Sequence, residues 1–180
     1  MRIISGKYKG RRITAPKNLP ARPTTDFAKE ALFNILNNHY YFNEVTVLDL
    51  FAGIGSIGFE FASRGAQQVV SVEKHFPSVQ FINKITKELG LPLVTVKNDV
   101  FSFLEKASGN YDIIFADPPY EFNNLQFNTI ITSVFNRELL NDNGMLIIEH
   151  SKHTDLSTAP FFSFSKKYGG STFSFFDKAE

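Results

Sequence analysis

Four carboxylates stand where apolar runs end, and three closely spaced glycines follow the first of them. Asp49 closes the run through Val45, Val47 and Leu48, and Gly53, Gly55 and Gly58 come directly after. Glu73 closes the next run, 20 residues beyond Gly53, a spacing that suits a carboxylate accepting from both hydroxyls of a ribose. Asp99 follows a third run. There it can accept from an adenine amino group while Val100 and Phe101 cover the ring, or simply cap the next helix. Asp117 ends Tyr111–Ala116 and opens the turn Asp117-Pro118-Pro119-Tyr120. A carboxylate and a proline carbonyl side by side can hold the two hydrogens of an amine. The prolines fix φ and remove backbone donors that would compete for the same acceptors. Tyr120 supplies a ring on which a base taken out of its stack can lie.

Those residues need a scaffold that brings strand ends together. Strand-like and helix-like segments alternate from 45 to 150, which predicts α/β architecture with a mostly parallel sheet. In such sheets ligands bind beyond the carboxyl ends of the strands, where all four acids fall. The expected strands end at Asp49, Glu73, Lys97 and Ala116, with another over 145–149 after Gly144. Helices are expected to about Arg64, from His75 to Leu89 before Gly90, over 100–106 and over roughly 125–140. The tail reads as an antiparallel pair, Phe161–Phe164 and Ser171–Phe176, around Lys166–Gly170, its phenylalanines serving the core.

The N-terminal stretch has another character. Arg2–Ser5 and Arg11–Thr14 read as two short strands of a hairpin, and prolines at 16, 20 and 23 make an extended connector. Thr24-Thr25-Asp26 offers an N-cap to a helix through about Asn38, whose apolar face is Phe27, Ala28, Ala31, Leu32, Ile35 and Leu36. The net charge of +1 hides a segregation, because no acid precedes Asp26. Arg2, Lys7, Lys9, Arg11, Arg12, Lys17 and Arg22 give +7 there, leaving −6 for the remainder. A basic arm of this kind suits a polyanion, with Tyr8 between Lys7 and Lys9 able to stack on a base. The alternative is a solvated hairpin that covers part of the body. Residues 1–40 are therefore expected to form an RNA-contacting extension (Arg2, Lys7, Tyr8, Lys9, Arg11, Arg12, Arg22), and 41–180 the catalytic domain.

Composition narrows the classes further. Hydrophobic residues make up 43% of 180, enough for one α/β core. Cysteine is absent, which excludes disulfides and thiol catalysis and fits a cytoplasmic protein. The four histidines at 39, 75, 150 and 153 make no metal-ligand pattern, so no metal is expected. No apolar run reaches membrane-spanning length.

Strand, glycine turn and ribose acid serve dinucleotides and S-adenosylmethionine alike. Asp49 separates them: an acid before the turn repels a pyrophosphate but holds the amino group of S-adenosylmethionine. The turn at 117–120 resembles the [DN]-P-P-[YF] motif of amino-methyltransferases. Aspartate at its head leans toward guanine, whose ring N–H and exocyclic amine both donate, whereas adenine presents an acceptor beside its amine.

A wider resemblance joins these pieces. Arg2-Ile3-Ile4-Ser5-Gly6, Tyr8-Lys9-Gly10-Arg11-Arg12-Ile13, Arg22-Pro23-Thr24-Thr25 and Lys29–Leu36 precede Asp49-Leu50-Phe51-Ala52-Gly53, Gly55 and Asp117-Pro118-Pro119-Tyr120. In that order and spacing they resemble the RsmD family, bacterial methyltransferases of guanine N2 in 16S ribosomal RNA. The resemblance implies a Rossmann-like fold with a seven-stranded sheet and S-adenosylmethionine as donor. It also implies a substrate in the small ribosomal subunit or a late assembly intermediate; separately, the protein is expected to be a monomer. Cofactor contacts are expected at Asp49, Phe51, Gly53, Gly55, Glu73, Asp99 and Val100, and catalysis at Asp117, Pro118, Pro119 and Tyr120. Family members often carry Arg where Lys29 stands and a polar residue in place of Phe27. The competing readings are an adenine-N6 methyltransferase of RNA or DNA, and a non-catalytic RNA-binding assembly factor of the same fold.

Overall fold

The computed structural model describes residues 1–20 and 24–178. Seven strands form one sheet: β1 Thr46–Leu50, β2 Gln68–Glu73, β3 Leu93–Lys97, β4 Tyr111–Ala116, β5 Leu140–Ser151, β6 Phe162–Tyr168 and β7 Ser171–Phe176. Their order across the sheet is β3-β2-β1-β4-β5-β7-β6. The first five run parallel and β7 lies antiparallel between β5 and β6. The helices are α1 Asp26–Leu36, α2 Ser56–Ser63, α3 Phe76–Leu89, α4 Val100–Lys106 and α5 Asn124–Asn136. The expected architecture is therefore present, antiparallel terminal pair included.

The central strands are apolar on both faces, and each face makes its own core. Val47, Val69, Ile113, Phe115 and Ile147 pack under α1, α2, α3 and the N-terminal hairpin. Leu48, Val72, Ile114, Ala116 and Ile148 pack against α4 and α5. Period-two alternation with both sides buried explains why these strands read as continuous hydrophobic runs. Among the described residues no helix is long and apolar enough to cross a membrane.

Several elements differ from the sequence expectation. β5 begins at Leu140 rather than 145, because Leu140 pairs with Tyr111 before the register shifts and resumes at Met145. The polar residues Asn141–Asn143 hide that start from hydropathy. β6 runs on through Lys166–Tyr168, so only Gly169 and Gly170 remain for the turn. The hairpin at the N-terminus forms one antiparallel bridge, Arg2 to Arg12, in place of two full strands, and backbone bonds from Ile3 to Arg11, Gly10 to Ile3 and Ile13 to Met1 close it. α1 ends at Leu36 and buries Ala28, Lys29, Leu32, Phe33 and Leu36, while Phe27 is exposed.

An ion pair turned that helix. Lys29 is 1% exposed and lies 3.4 Å from Glu60, which is wholly buried on α2. The Lys29 ammonium also donates to the Arg2 carbonyl at 2.6 Å. Glu60 in turn accepts from the Ile4 and Ser5 amides at 2.9 and 3.0 Å and from Arg64 at 2.9 Å. A buried charge must be paired and hydrogen-bonded, and this cluster supplies both. It fastens residues 2–5 to α1 and α2, so the described residues of 1–40 share a core with the rest of the chain. Lys29 is thus placed inside the protein, not on an RNA-facing surface.

Candidate active site

The strand order turns the four acids into a row. Asp99 follows β3, Glu73 ends β2, Asp49 lies on β1 and Asp117 follows β4, in the order the strands stand side by side. The chain crosses from β1 toward β3 and returns to β4 on the other side, so β1 and β4 flank the topological switch point. A cavity of about 870 Å³ opens there, within the range of about 300–1,000 Å³ usual for small-molecule sites. It is lined by all four acids, by Phe51, Gly53, His75, Val100 and Phe101, and by the Pro118–Phe122 turn.

The cofactor end is built around the glycine turn. Gly53 and Gly55 have φ of 58° and 84°, a left-handed path that side chains resist, and Gly55 precedes the first residue of α2. Gly58 is inside α2, where a Cβ would lie 2.9 Å from the Ser71 hydroxyl and 3.3 Å from Asp49 Oδ2. The third glycine therefore lets the helix approach the strands. Glu73 accepts from the Gly53 amide through Oε2 and from the His75 amide through Oε1, each at 2.8 Å. It braces both sides of the cavity floor as well as facing it. Asp99 Oδ1 caps α4 through the Phe101 and Ser102 amides, at 3.0 and 3.2 Å, and Oδ2 takes no part in that cap. Phe101 and Phe122 stack with centroids 5.9 Å apart, and Phe51 meets Phe122 edge-on. These rings make an apolar wall beside Val100.

Asp49 is 1% exposed, and its Oδ2 has no hydrogen-bond partner among the described residues. Burial raises its pKa to about 8, the Gly58 amide draws it down and Glu73 raises it further. A buried, unpartnered carboxyl oxygen at a cavity wall is suited to a cationic donor. Asp117 is pushed well above the ordinary carboxyl range by burial, then by Glu149 and Asp49. Pro118 is buried, Pro119 exposed, and Tyr120 is 41% exposed with its hydroxyl 3.3 Å from that of Ser171. Of the residues expected for cofactor and catalysis, all but Gly55 line this cavity, and Gly55 shapes the turn that leads into α2. Among the described residues no group of three or more His, Asp or Glu could hold a metal ion.

The family model described as "Conserved hypothetical protein 95" matches residues 1–177. Ribosomal RNA small subunit methyltransferase D of Buchnera aphidicola (subsp. Baizongia pistaciae) is 34% identical over 161 residues, 89% of this chain and 81% of that protein. Its namesake in Escherichia coli is 33% identical over 162 residues, 89% and 79% of the two chains. The chain belongs to the RsmD family. Among solved structures, a Thermus thermophilus hypothetical protein superposes with a TM-score of 0.85 at 28% identity, covering 99% of both chains. A Thermus thermophilus 16S rRNA N2 methyltransferase, RsmC, solved with AdoMet and guanosine, shares the fold at a TM-score of 0.71 and 22% identity, over 89% of this chain and 45% of that one.

Three polar residues of this RsmD-family site escaped the sequence reading. Glu149, at the end of β5, is 4% exposed and extends the row of acids one strand beyond Asp117. Its Oε2 accepts from the Thr24 hydroxyl at 2.8 Å. Burial raises its pKa, and the Thr24 and Ser171 hydroxyls draw it partly back down. All three line the cavity. The signal for Glu149 was available, since it closes the apolar run Met145–Ile148 as the other acids close theirs. Thr24 and Ser171 gave no such signal, because only the fold brings residues 24, 149 and 171 together.

Among the described residues, none of the expected RNA contacts of this RsmD-family chain lines the cavity. Arg2 pairs with Asp26 at 3.1 Å, and Arg12 lines a separate hollow with Met1, Arg2 and Asp26. Lys7 and Tyr8 donate their amides to the carbonyl and hydroxyl of Ser63, the last residue of α2, at 2.7 and 3.0 Å. The Tyr8 hydroxyl donates to the Leu89 carbonyl and Arg11 pairs with Glu88, both at the end of α3. Helices that return between parallel strands end at the amino edge of the sheet, so Lys7, Tyr8, Lys9 and Arg11 lie opposite the cavity. The Tyr8 ring is packed against the core rather than presented to solvent. Arg22 lies outside the described residues.

Proposed function

We propose that this protein transfers a methyl group from S-adenosylmethionine to the exocyclic N2 amine of a guanine in 16S ribosomal RNA of the small subunit. One observation carries the reading: the Asp49 carboxyl, whose Oδ2 has no partner among the described residues, and the Asp117-Pro118-Pro119-Tyr120 turn face one cavity from adjacent strands at the switch point. The names of the RsmD relatives support the RNA substrate.

The residues present fit the donor. Asp49 would take its amino group, Glu73 its ribose hydroxyls, and Asp99 Oδ2 its adenine amine, with Val100 and the Phe101–Phe122 wall covering the ring. S-adenosylmethionine supplies a methyl group on a sulfonium, whose C–S bond breaks as the amine nitrogen forms the N–C bond. The protein's task is to make that nitrogen available, since its lone pair is delocalised into the purine. Asp117 and the Pro118 carbonyl accept the two amine hydrogens and fix the nitrogen in line. Such positioning can contribute on the order of 7–11 kcal/mol to the barrier. The surplus proton of the methylated amine passes to Asp117, whose raised proton affinity suits it as acceptor. Tyr120 stacks on the extruded base, which must leave its stack to reach the turn. Arg2 and Arg12, beside Asp26 at the start of α1, would meet phosphates of the bound RNA, whereas Lys7, Lys9 and Arg11 would meet only RNA remote from the target.

The test is methylation of small subunits from cells lacking this gene, read as N2-methylguanine by nucleoside mass spectrometry. Wild type should produce it, and Asp117→Ala should abolish it while cofactor binding survives. Absence of the product with wild type, or transfer by Asp117→Ala within a few-fold of it, would reject the assignment.

A further inference from the structure

Glu149 is outside the set of residues assigned to the donor, yet it lines the same cavity as Asp117. β4 and β5 are neighbours, so the two carboxyl groups project from adjacent strand ends about 5 Å apart in strand spacing. A buried carboxyl next to another acid is costly, and an apolar residue would fill the position without that cost. Thr24 fixes one of its oxygens at 2.8 Å, and the Ser171 hydroxyl stands close enough to lower its proton affinity. Ser171 also meets the Tyr120 hydroxyl, which ties the cluster to the turn that presents the base. The arrangement is a fixed acceptor one strand beyond the acceptor for the target amine.

We propose that Glu149, held by Thr24 and Ser171, forms the base-reading end of the cavity and accepts the ring N–H that neighbours the target amine. The proposal rests on the methyl-transfer reading and deepens it. Guanine places two donors side by side on this edge, the ring N–H and the exocyclic amine, and Glu149 and Asp117 offer two acceptors side by side. Adenine presents a lone pair where the ring N–H would be, directly against a carboxylate. Discrimination then comes from leaving a buried acceptor facing an acceptor, a stronger device than any apolar contact.

A purely structural role makes a different forecast. The Thr24–Glu149 bond joins the segment before α1 to the sheet, and Gln at 149 would keep it, since an amide oxygen accepts from the Thr24 hydroxyl equally well. Glu149→Gln therefore separates the roles. Its melting temperature and its affinity for S-adenosylhomocysteine should match wild type. Its kcat/KM on small subunits should fall about ten- to a hundred-fold, the range for losing a hydrogen bond to a charged group. Inosine, which keeps the ring N–H but lacks the amine, should inhibit wild type more strongly than adenosine, and that preference should vanish in Glu149→Gln. Should Glu149→Gln melt early, Thr24→Val carries the test: kcat/KM falls and Thr24→Ser restores it. Unchanged kcat/KM in a folded Glu149→Gln, or equal inhibition of wild type by inosine and adenosine, overturns the proposal while the methyl-transfer reading stands. Wild type that makes no N2-methylguanine removes both.

Discussion

Binding of the cofactor should release a proton, and the amount follows from Asp49. In the free protein its pKa is about 8, raised chiefly by burial. At pH 7 the carboxyl is therefore about nine-tenths protonated. The amino group of S-adenosylhomocysteine is that of a free amino acid, beside its own carboxylate, and is protonated at pH 7. If the two meet as carboxylate and ammonium, the complex holds one proton where the separate partners hold about 1.9. About 0.9 proton should leave at pH 7 and about half a proton at pH 8. Affinity should then rise with pH up to about 8, because Asp49 reaches its pairing form only above its pKa. The sign for stability agrees. A carboxyl whose folded pKa is raised above 3.8 favours the fold while protonated, so this contribution is lost as pH rises from about 4 to 8.

Calorimetry of S-adenosylhomocysteine binding in buffers of different ionisation enthalpy measures the proton count directly. Asp49→Asn should bring release at pH 7 close to zero. A wild-type release below about 0.3 at pH 7, or the same release from Asp49→Asn, would show that Asp49 does not change its protonation against the ligand's amine.

Two further outcomes concern the frame around the cavity. Glu60→Ala leaves Lys29 buried beside two unmatched amides and should cost about 3–5 kcal/mol, read as a lower urea midpoint at constant slope, against at most about 1 kcal/mol for Arg2→Ala in its exposed pair with Asp26. Equal stability of the two variants would show the buried cluster to be incidental. Gly58→Ala drives a Cβ to within 2.9 Å of the Ser71 hydroxyl and 3.3 Å of Asp49, so it should cost about 1–3 kcal/mol and weaken cofactor binding as well. Wild-type cofactor affinity in that variant would mean that α2 can move away without disturbing Asp49.

What the sequence revealed of this site is what repeats along it. Asp49, Glu73, Asp99 and Asp117 each follow an apolar run, and a parallel sheet lines up such ends whatever the strand order. The order itself, β3-β2-β1-β4-β5-β7-β6, makes neighbours of Asp49 and Asp117, and of Asp117 and Glu149. No spacing in the chain encodes that adjacency. Glu149 carried the same signal as the other acids but lacked a motif around it. The buried face of α1 departs from its apolar periodicity for a related reason. Apolar periodicity selects Phe27, Ala31 and Ile35, and it cannot foresee that Lys29 will find Glu60, 31 residues on, and be drawn inside.

The N-terminal cations show the same limit from the other side. Their segregation from the acids is real in sequence, but charge along a chain says nothing of where each charge lies on the surface. Two short-range contacts decide it. The Ser63 carbonyl and hydroxyl take the Lys7 and Tyr8 amides, which carries the hairpin tip to the end of the sheet away from Asp117. The Glu60 carboxylate takes the Ile4 and Ser5 amides, which keeps the other end of the hairpin beside α1. Each contact satisfies backbone donors that would otherwise be buried without partners. The hairpin's position is thus dictated by the core beneath it. Of the expected phosphate contacts among the described residues, none lines the cavity, and Arg2 and Arg12 lie beside Asp26 at the start of α1. RNA would therefore be gripped close to its target base by few cations, and the carboxyl pair and Tyr120 would have to recognise the base itself.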